Sequence, residues 1–269
     1  MAEGRFTKLE GAKTTSGLTP PPGSIARDAP KKNPVVEDEA NYPTFVLRAD
    51  EAFYTGNFRD ALRHYSRALQ EKNNQIYPWI GQISALIAMR QYKEAELWSN
   101  RALDQFPEDS SLLSQRARVL AYTGNIKRAI GVSDFAISKA ATNWSWLGRG
   151  EVLLVANDAN AMFCFTKAVE AAEKDDWRTP FLAGFAYLNK RQWASAEEFL
   201  KKSVEINPRN HFTWFCLAQA LTELSYTDRA RDAVQRVLQL KPDFLPAREL
   251  ELKIFRRPFF RQVFGFFKR

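Results

Sequence analysis

Large and small residues recur at a 34-residue interval through six segments of this chain, opening at Tyr42, Ile76, Ser110, Asn143, Trp177 and His211. A unit of that length cannot bury its apolar face alone, so neighbouring units must stack and share a core. The interval points to an all-α array of paired helices, and to a binding scaffold rather than an enzyme.

The first segment, Tyr42 to Gln75, shows the pattern in full: Phe45, Ala49, Gly56, Phe58, Ala61, Tyr65, Ala68 and Leu69 hold its fixed positions. Trp79, Tyr92, Ala95, Ala102, Leu103 and Pro107 repeat it in the second segment, and Leu113, Ala117, Gly124, Ile126, Ala129, Ala136 and Ile137 in the third. Small residues at the eighth, twentieth and twenty-seventh places let two helices approach closely, and the large residues between them fill the groove. Glycine near the fifteenth place suits a left-handed turn, and proline near the thirty-second stops the second helix.

This pattern of Trp, Leu, Gly, Tyr, Ala, Phe, Ala and Pro resembles the tetratricopeptide repeat (TPR) family over Tyr42 to Phe244, about three quarters of the chain. The resemblance implies a right-handed superhelical solenoid of six helix-turn-helix repeats, at 42–75, 76–109, 110–142, 143–176, 177–210 and 211–244, with a capping helix at 245–255. Two departures carry expectations of their own. Arg90, Arg191 and Ser225 stand where the turn glycine belongs, so those turns are expected to close in a type I geometry. In the fourth segment Ala161, Phe165 and Ala168 sit one residue early, which implies a shortened turn at Asn157 and Asp158 and a local change of superhelical pitch.

The chain has 269 residues, 45% of them hydrophobic, enough for a sizeable core spread along a solenoid axis. Cys164 and Cys216 have no metal-ligand spacing and read as small buried hydrophobes. No segment reaches the roughly 20 apolar residues that span a bilayer, and Met1 to Glu10 lacks a signal-peptide core, so a cytoplasmic location is expected. Residues 1–41, with Pro20, Pro21, Pro22 and Gly23, read as a disordered arm carrying six basic and six acidic side chains. Of the net charge of +8, residues 245–269 hold +5.

In the family the first helix of each repeat lines the concave side. Carried onto this sequence, that implies a partner-binding trough of Tyr54, Tyr77, Ser84, Arg118, Tyr122, Trp144, Glu151, Phe181, Phe185, Phe212, Phe215 and Gln219. Family members that hold acidic chaperone tails use a lysine and asparagine clamp. Val46 and Asp50, and then Ile80 and Ser84, occupy those places here, so the expected ligand is an apolar or amphipathic protein segment.

Beyond the repeats, residues 256–269 form a basic aromatic tail. Phe255, Phe259, Phe260, Phe264 and Phe267 alternate with Arg256, Arg257 and Arg261 as contact residues for a partner, an anionic membrane surface or another copy of the chain. The sparse charge of the trough argues against nucleic acid. His64 and His211 have no readable nucleophile beside them, and no phosphate loop or zinc spacing is present, so no catalytic residue, metal or cofactor is assigned.

Overall fold

The computed structural model describes the backbone of residues 41–265 and the side chains as far as Phe255. The expected disordered arm, apart from Asn41, and the side chains of the tail beyond Phe255 lie outside the described residues. Those described form thirteen helices and no strand. They run as α1 (Tyr42–Tyr54), α2 (Phe58–Glu71), α3 (Ile76–Ala88), α4 (Tyr92–Gln105), α5 (Ser110–Tyr122), α6 (Ile126–Lys139) and α7 (Asn143–Val155). The chain continues through α8 (Ala161–Ala171), α9 (Arg178–Asn189), α10 (Trp193–Ile206), α11 (His211–Glu223), α12 (Thr227–Leu240) and α13 (Leu245–Gly265). The fold is all-α, an array of antiparallel helix pairs.

Small residues sit where helices cross. Ala49, Ala61, Ala68, Ala95, Ala102, Ala129, Ala136, Ala196 and Ala230 are fully buried, as are Ser99, Ser133 and Ser203 at equivalent contacts. Gly148 shows how close the approach is, because a Cβ placed there would lie 2.6 Å from the Cβ of Ser114 on α5. Several first helices are capped in the ordinary way: Asn41, Asp109, Thr142 and Asn210 each accept a hydrogen bond from a backbone N–H three residues on.

The turn within each pair corrects the type I expectation. Gly56, Arg90, Gly124, Asn157, Arg191 and Ser225 all have positive φ, from 58° to 88°. Each is followed by a residue whose N–H reaches back five positions, as in Asn57 N to Ala52 O at 2.8 Å and Gln192 N to Tyr187 O at 3.0 Å. The left-handed residue itself donates three positions back, as Arg90 does to Ile87 O at 2.9 Å. All six turns are therefore Schellman caps, which satisfy the last carbonyls of the first helix in a left-handed conformation whether or not glycine is present. The fourth turn has the early register: buried Ala161 follows Asn157 by four residues, whereas Ala61 follows Gly56 by five. Its helix does not start early, however. Asp158 to Asn160 form a side-chain-bonded turn, with Asn160 N donating to Asp158 Oδ1 at 2.8 Å, and α8 is shorter than its counterparts.

The capping helix also runs further than expected. Ala247, Leu250 and Ile254 of α13 are buried against the last pair, but the helix continues through Pro258 to Gly265.

The core is not a simple string of neighbouring contacts. One buried cluster joins Ala49, Phe53, Tyr54, Ala61 and Tyr65 of the first pair to residues of α7 through α13. A separate cluster holds the second pair and α5 together. The array therefore curls until its first turn meets its fifth and sixth pairs.

Candidate partner-binding face

The first helices of the pairs line one side, and closure divides that side into two zones. In the first, the turn after α1 lies on α9 and α11. Tyr54 meets Trp177 and Phe181 edge-on at centroid distances of 5.0 and 5.6 Å, and Phe58 meets Phe185 at 5.7 Å and Phe212 at 6.1 Å. The backbone at Gly56 runs against the Phe212 ring, so closely that a Cβ there would come within 2.5 Å of it. The guanidinium of Arg178 lies 5.3 Å from the centre of the Tyr54 ring and 3.7 Å from Asp50 Oδ2.

Asp50 is held from three sides. Tyr65 and Tyr77 donate their hydroxyls to its two carboxylate oxygens at 2.6 and 2.8 Å, and Arg178 approaches from across the face. Burial still dominates, so its carboxyl lies above the usual range, although both hydroxyl bonds and the Arg178 charge oppose that shift. The Tyr77 hydroxyl is pushed up by burial and then by the nearby Asp50 charge.

In the second zone α3, α5, α7 and α9 surround a cavity of about 190 Å³. Many times the roughly 10–15 Å³ needed for one water, it has room for a side chain or a short turn of chain. Its wall is aromatic: Phe53, Tyr92, Tyr122, Trp144 and Phe185, with Tyr92 and Tyr122 stacked at 5.0 Å. Its floor is polar. Arg118 Nε donates to Glu151 Oε2 at 2.6 Å, Tyr122 donates to Glu151 Oε1 at 2.8 Å, and Arg118 Nη1 donates to Ser84 Oγ and Gln115 Oε1 at 3.1 and 2.5 Å. Both side chains of the ion pair are about nine-tenths buried. Among the described residues Arg118 Nη2 has no protein acceptor and is not closed off from solvent. Arg90 and Lys190 stand at the rim.

The twelve trough residues therefore divide. Ser84, Arg118, Tyr122, Trp144, Glu151 and Phe185 line the cavity. Tyr54, Phe181 and Phe212 do not face open space; they pack into the contact between the first turn and the later pairs, and Phe181 is 0% exposed. Tyr77 is engaged on Asp50, Phe215 packs on Phe244 and Phe212, and Gln219 is half-buried without joining either zone. Position alone could not reveal Phe58, Tyr92, Gln115 or Asn210: the first two lie on second helices, Gln115 on a different face of a first helix, and Asn210 in a connection. Of the tail contacts, only Phe255 has a described side chain; it is exposed, with Arg231 over its ring at 5.4 Å. Arg256, Arg257, Phe259, Phe260, Arg261, Phe264 and Phe267 lie outside the described side chains.

Residues 156–237 match the family described as anaphase-promoting complex, cyclosome, subunit 3, which covers a minority of the chain. The helix pairs with small residues at their crossings and a Schellman cap in every turn extend the same architecture over the rest of the array. The described residues have the fold of a tetratricopeptide-repeat array. Comparison of the chain with curated proteins finds no match. Among solved structures it is similar to a TPR protein of Parabacteroides merdae, at 14% identity over 82% of this chain and 88% of that one, with a TM-score of 0.46. A thermophilic TPR protein of Thermus thermophilus gives 16% identity over 67% of this chain and 99% of that one, with a TM-score of 0.48. The APC/C hetero-tetramer Cut9–Hcn1 gives 15% identity over 80% of this chain and 43% of that one, with a TM-score of 0.48.

Proposed function

We propose that this chain is a non-enzymatic scaffold that holds a partner segment on its concave side and so helps assemble or localise a larger complex. The observation that carries this reading is the cavity framed by α3, α5, α7 and α9, where an aromatic wall surrounds a hydrogen-bonded Arg118–Glu151 floor. Aromatic surface gives much contact area at small cost in side-chain entropy, and a preformed polar floor orients what enters. The segment inserts one apolar or aromatic side chain beside Trp144 and Phe185 and accepts a hydrogen bond from Arg118 Nη2.

The test places a photo-crosslinking residue at Ile87 or Trp144, within the cavity, and at exposed Phe135 on α6 as control. Partner protein captured from the cavity positions and not from position 135, with affinity reduced at least tenfold by Trp144→Ala, is expected. Equal capture at all three positions would remove the cavity from the reading.

A second reading, a peripheral adaptor on an anionic membrane, draws on α13. The segment that alternates phenylalanine with arginine in sequence is continuous with this helix as far as Gly265, and Leu245, Leu252 and Phe255 are exposed on it. Among the described residues no helix is long and apolar enough to cross a bilayer, so the contact would be interfacial. Sedimentation with anionic vesicles compares the full chain with one ending at Lys253; equal binding removes this reading, and self-association is followed on the same pair by light scattering.

A further inference from the structure

The first turn occupies a surface that the repeat pattern otherwise leaves open. We infer that the segment Asp50 to Phe58 is a displaceable intramolecular plug on α9 and α11, and that the external segment taken by this surface has the same chemistry, aromatic side chains beside a carboxylate. The inference rests on the concave side being the face that takes a protein segment, and it adds what that segment looks like and what must leave first.

Three observations support displacement. Stability in a repeat array is close to a sum over neighbouring units, so a contact between the first pair and the fifth and sixth stands outside the interfaces that hold the array together. That contact is made by few groups: the rings of Tyr54 and Phe58, the backbone at Gly56, the Asp50–Arg178 pair, and the bond from Asn210 Nδ2 to Tyr54 O at 2.8 Å. Opening also strands no charge. Asp50 keeps the Tyr65 and Tyr77 hydroxyls, which come from α2 and α3, and the Arg178 side chain is already 46% exposed, so water can take over its solvation. A permanently welded contact would leave one of these ions unpaired on separation.

The chemistry of the displacing segment follows from what the plug presents. The receiving surface offers Trp177, Phe181, Phe185 and Phe212 as ring faces and edges, Arg178 as a cation, and Asn210 Nδ2 as a donor for a main-chain carbonyl. A segment with one carboxylate and two aromatic residues spaced as Asp50, Tyr54 and Phe58 satisfies all of them.

The test uses the full chain and a labelled synthetic peptide that copies residues 50–58. Phe58→Ala removes a half-buried ring from the plug and leaves the receiving surface intact. Expected are at least tenfold tighter binding of the peptide to F58A than to the wild type, since a site occupied most of the time binds with its affinity reduced by the open fraction, and faster amide exchange in α9 and α11 with α5 unchanged. A peptide with Lys in place of the aspartate should lose that binding. If F58A is poorly folded, Gly56→Ala serves instead: a Cβ there would come within 2.5 Å of the Phe212 ring and so pushes the turn away, while every group of the receiving surface is kept. Equal peptide affinity and unchanged exchange in the folded variant would make the contact a fixed wall and overturn the inference. So would a wild-type dimer at high concentration in which the turn of one copy docks on another, since the surface would then belong to a second copy. None of these measurements requires the partner sought at the cavity, so the two ideas fail separately.

Discussion

The side-chain amide of Asn210 donates to the main-chain carbonyl of Tyr54 over 2.8 Å although 156 positions separate the two residues. The same side chain caps α11 through its oxygen, which accepts from Thr213 N at 2.8 Å. One residue type, chosen to start a helix, thereby also ties the first turn of the array to its last pair. The face is closed there: Tyr54 and Phe58 lie on rings of the later pairs, and the cavity opens beside them.

The left-handed turn residues give the first prediction. Arg191 and Ser225 hold φ of 58° and 64° with a Cβ that glycine lacks. Replacing either by Gly relieves that strain and gives back part of it as unfolded-chain entropy, so each should stabilise by about 0.5–1 kcal/mol. Urea denaturation measures this. Gly56→Ala should do the reverse, because its φ is 82° and the Phe212 ring leaves no room.

Close helix approach gives the second. A methyl at Gly148 would meet Ser114 Cβ at 2.6 Å and its Cα at 3.1 Å, and backbone cannot yield as a flexible side chain can. Gly148→Ala should cost about 1–3 kcal/mol despite the better helix propensity of alanine. A neutral result in thermal unfolding would mean that α5 and α7 are not packed this tightly.

The cavity floor gives the third. Arg118→Ala leaves Glu151 with only the Tyr122 hydroxyl in a nearly enclosed site, and removing one partner of a buried pair costs about 3–5 kcal/mol. The paired change Arg118→Met with Glu151→Leu should recover most of that loss. Both are read from chemical denaturation midpoints, and recovery by the double variant separates charge burial from lost packing.

Acid dependence gives the fourth. Burial raises the Asp50 carboxyl above its ordinary value of 3.8, so the folded chain binds this proton more tightly than the unfolded chain. The stability it contributes is fully present below the unfolded value and is lost as pH rises through the raised folded value. Asp50→Asn does not titrate, so its stability relative to the wild type should improve with rising pH across that window. Denaturation series on the two proteins measure the difference; a difference that stays constant would mean that Asp50 titrates alike in both states.

The paired helices, their order and their small crossing residues were all readable from the 34-residue interval, because each depends on contacts between neighbours that a local pattern can encode. Ala95, Ala129 and Ala196 are buried where the interval places them. Part of the cavity lining was readable for the same reason: Trp144, Arg118 and Glu151 come from equivalent first helices and converge on one cavity. Backbone conformation at Arg90, Arg191 and Ser225 was not readable, since residue type alone favours a right-handed turn and only the Schellman geometry of the whole pair imposes the left-handed one. Nor could the interval place Phe181 and Phe212 under the first turn. That contact depends on a small rotation added at every successive pair, and no single residue carries the sum. The sequence by itself determined an array of helix pairs with an aromatic inner side; only the tertiary structure decided that the array curls far enough for Tyr54 to reach Asn210 and cover it.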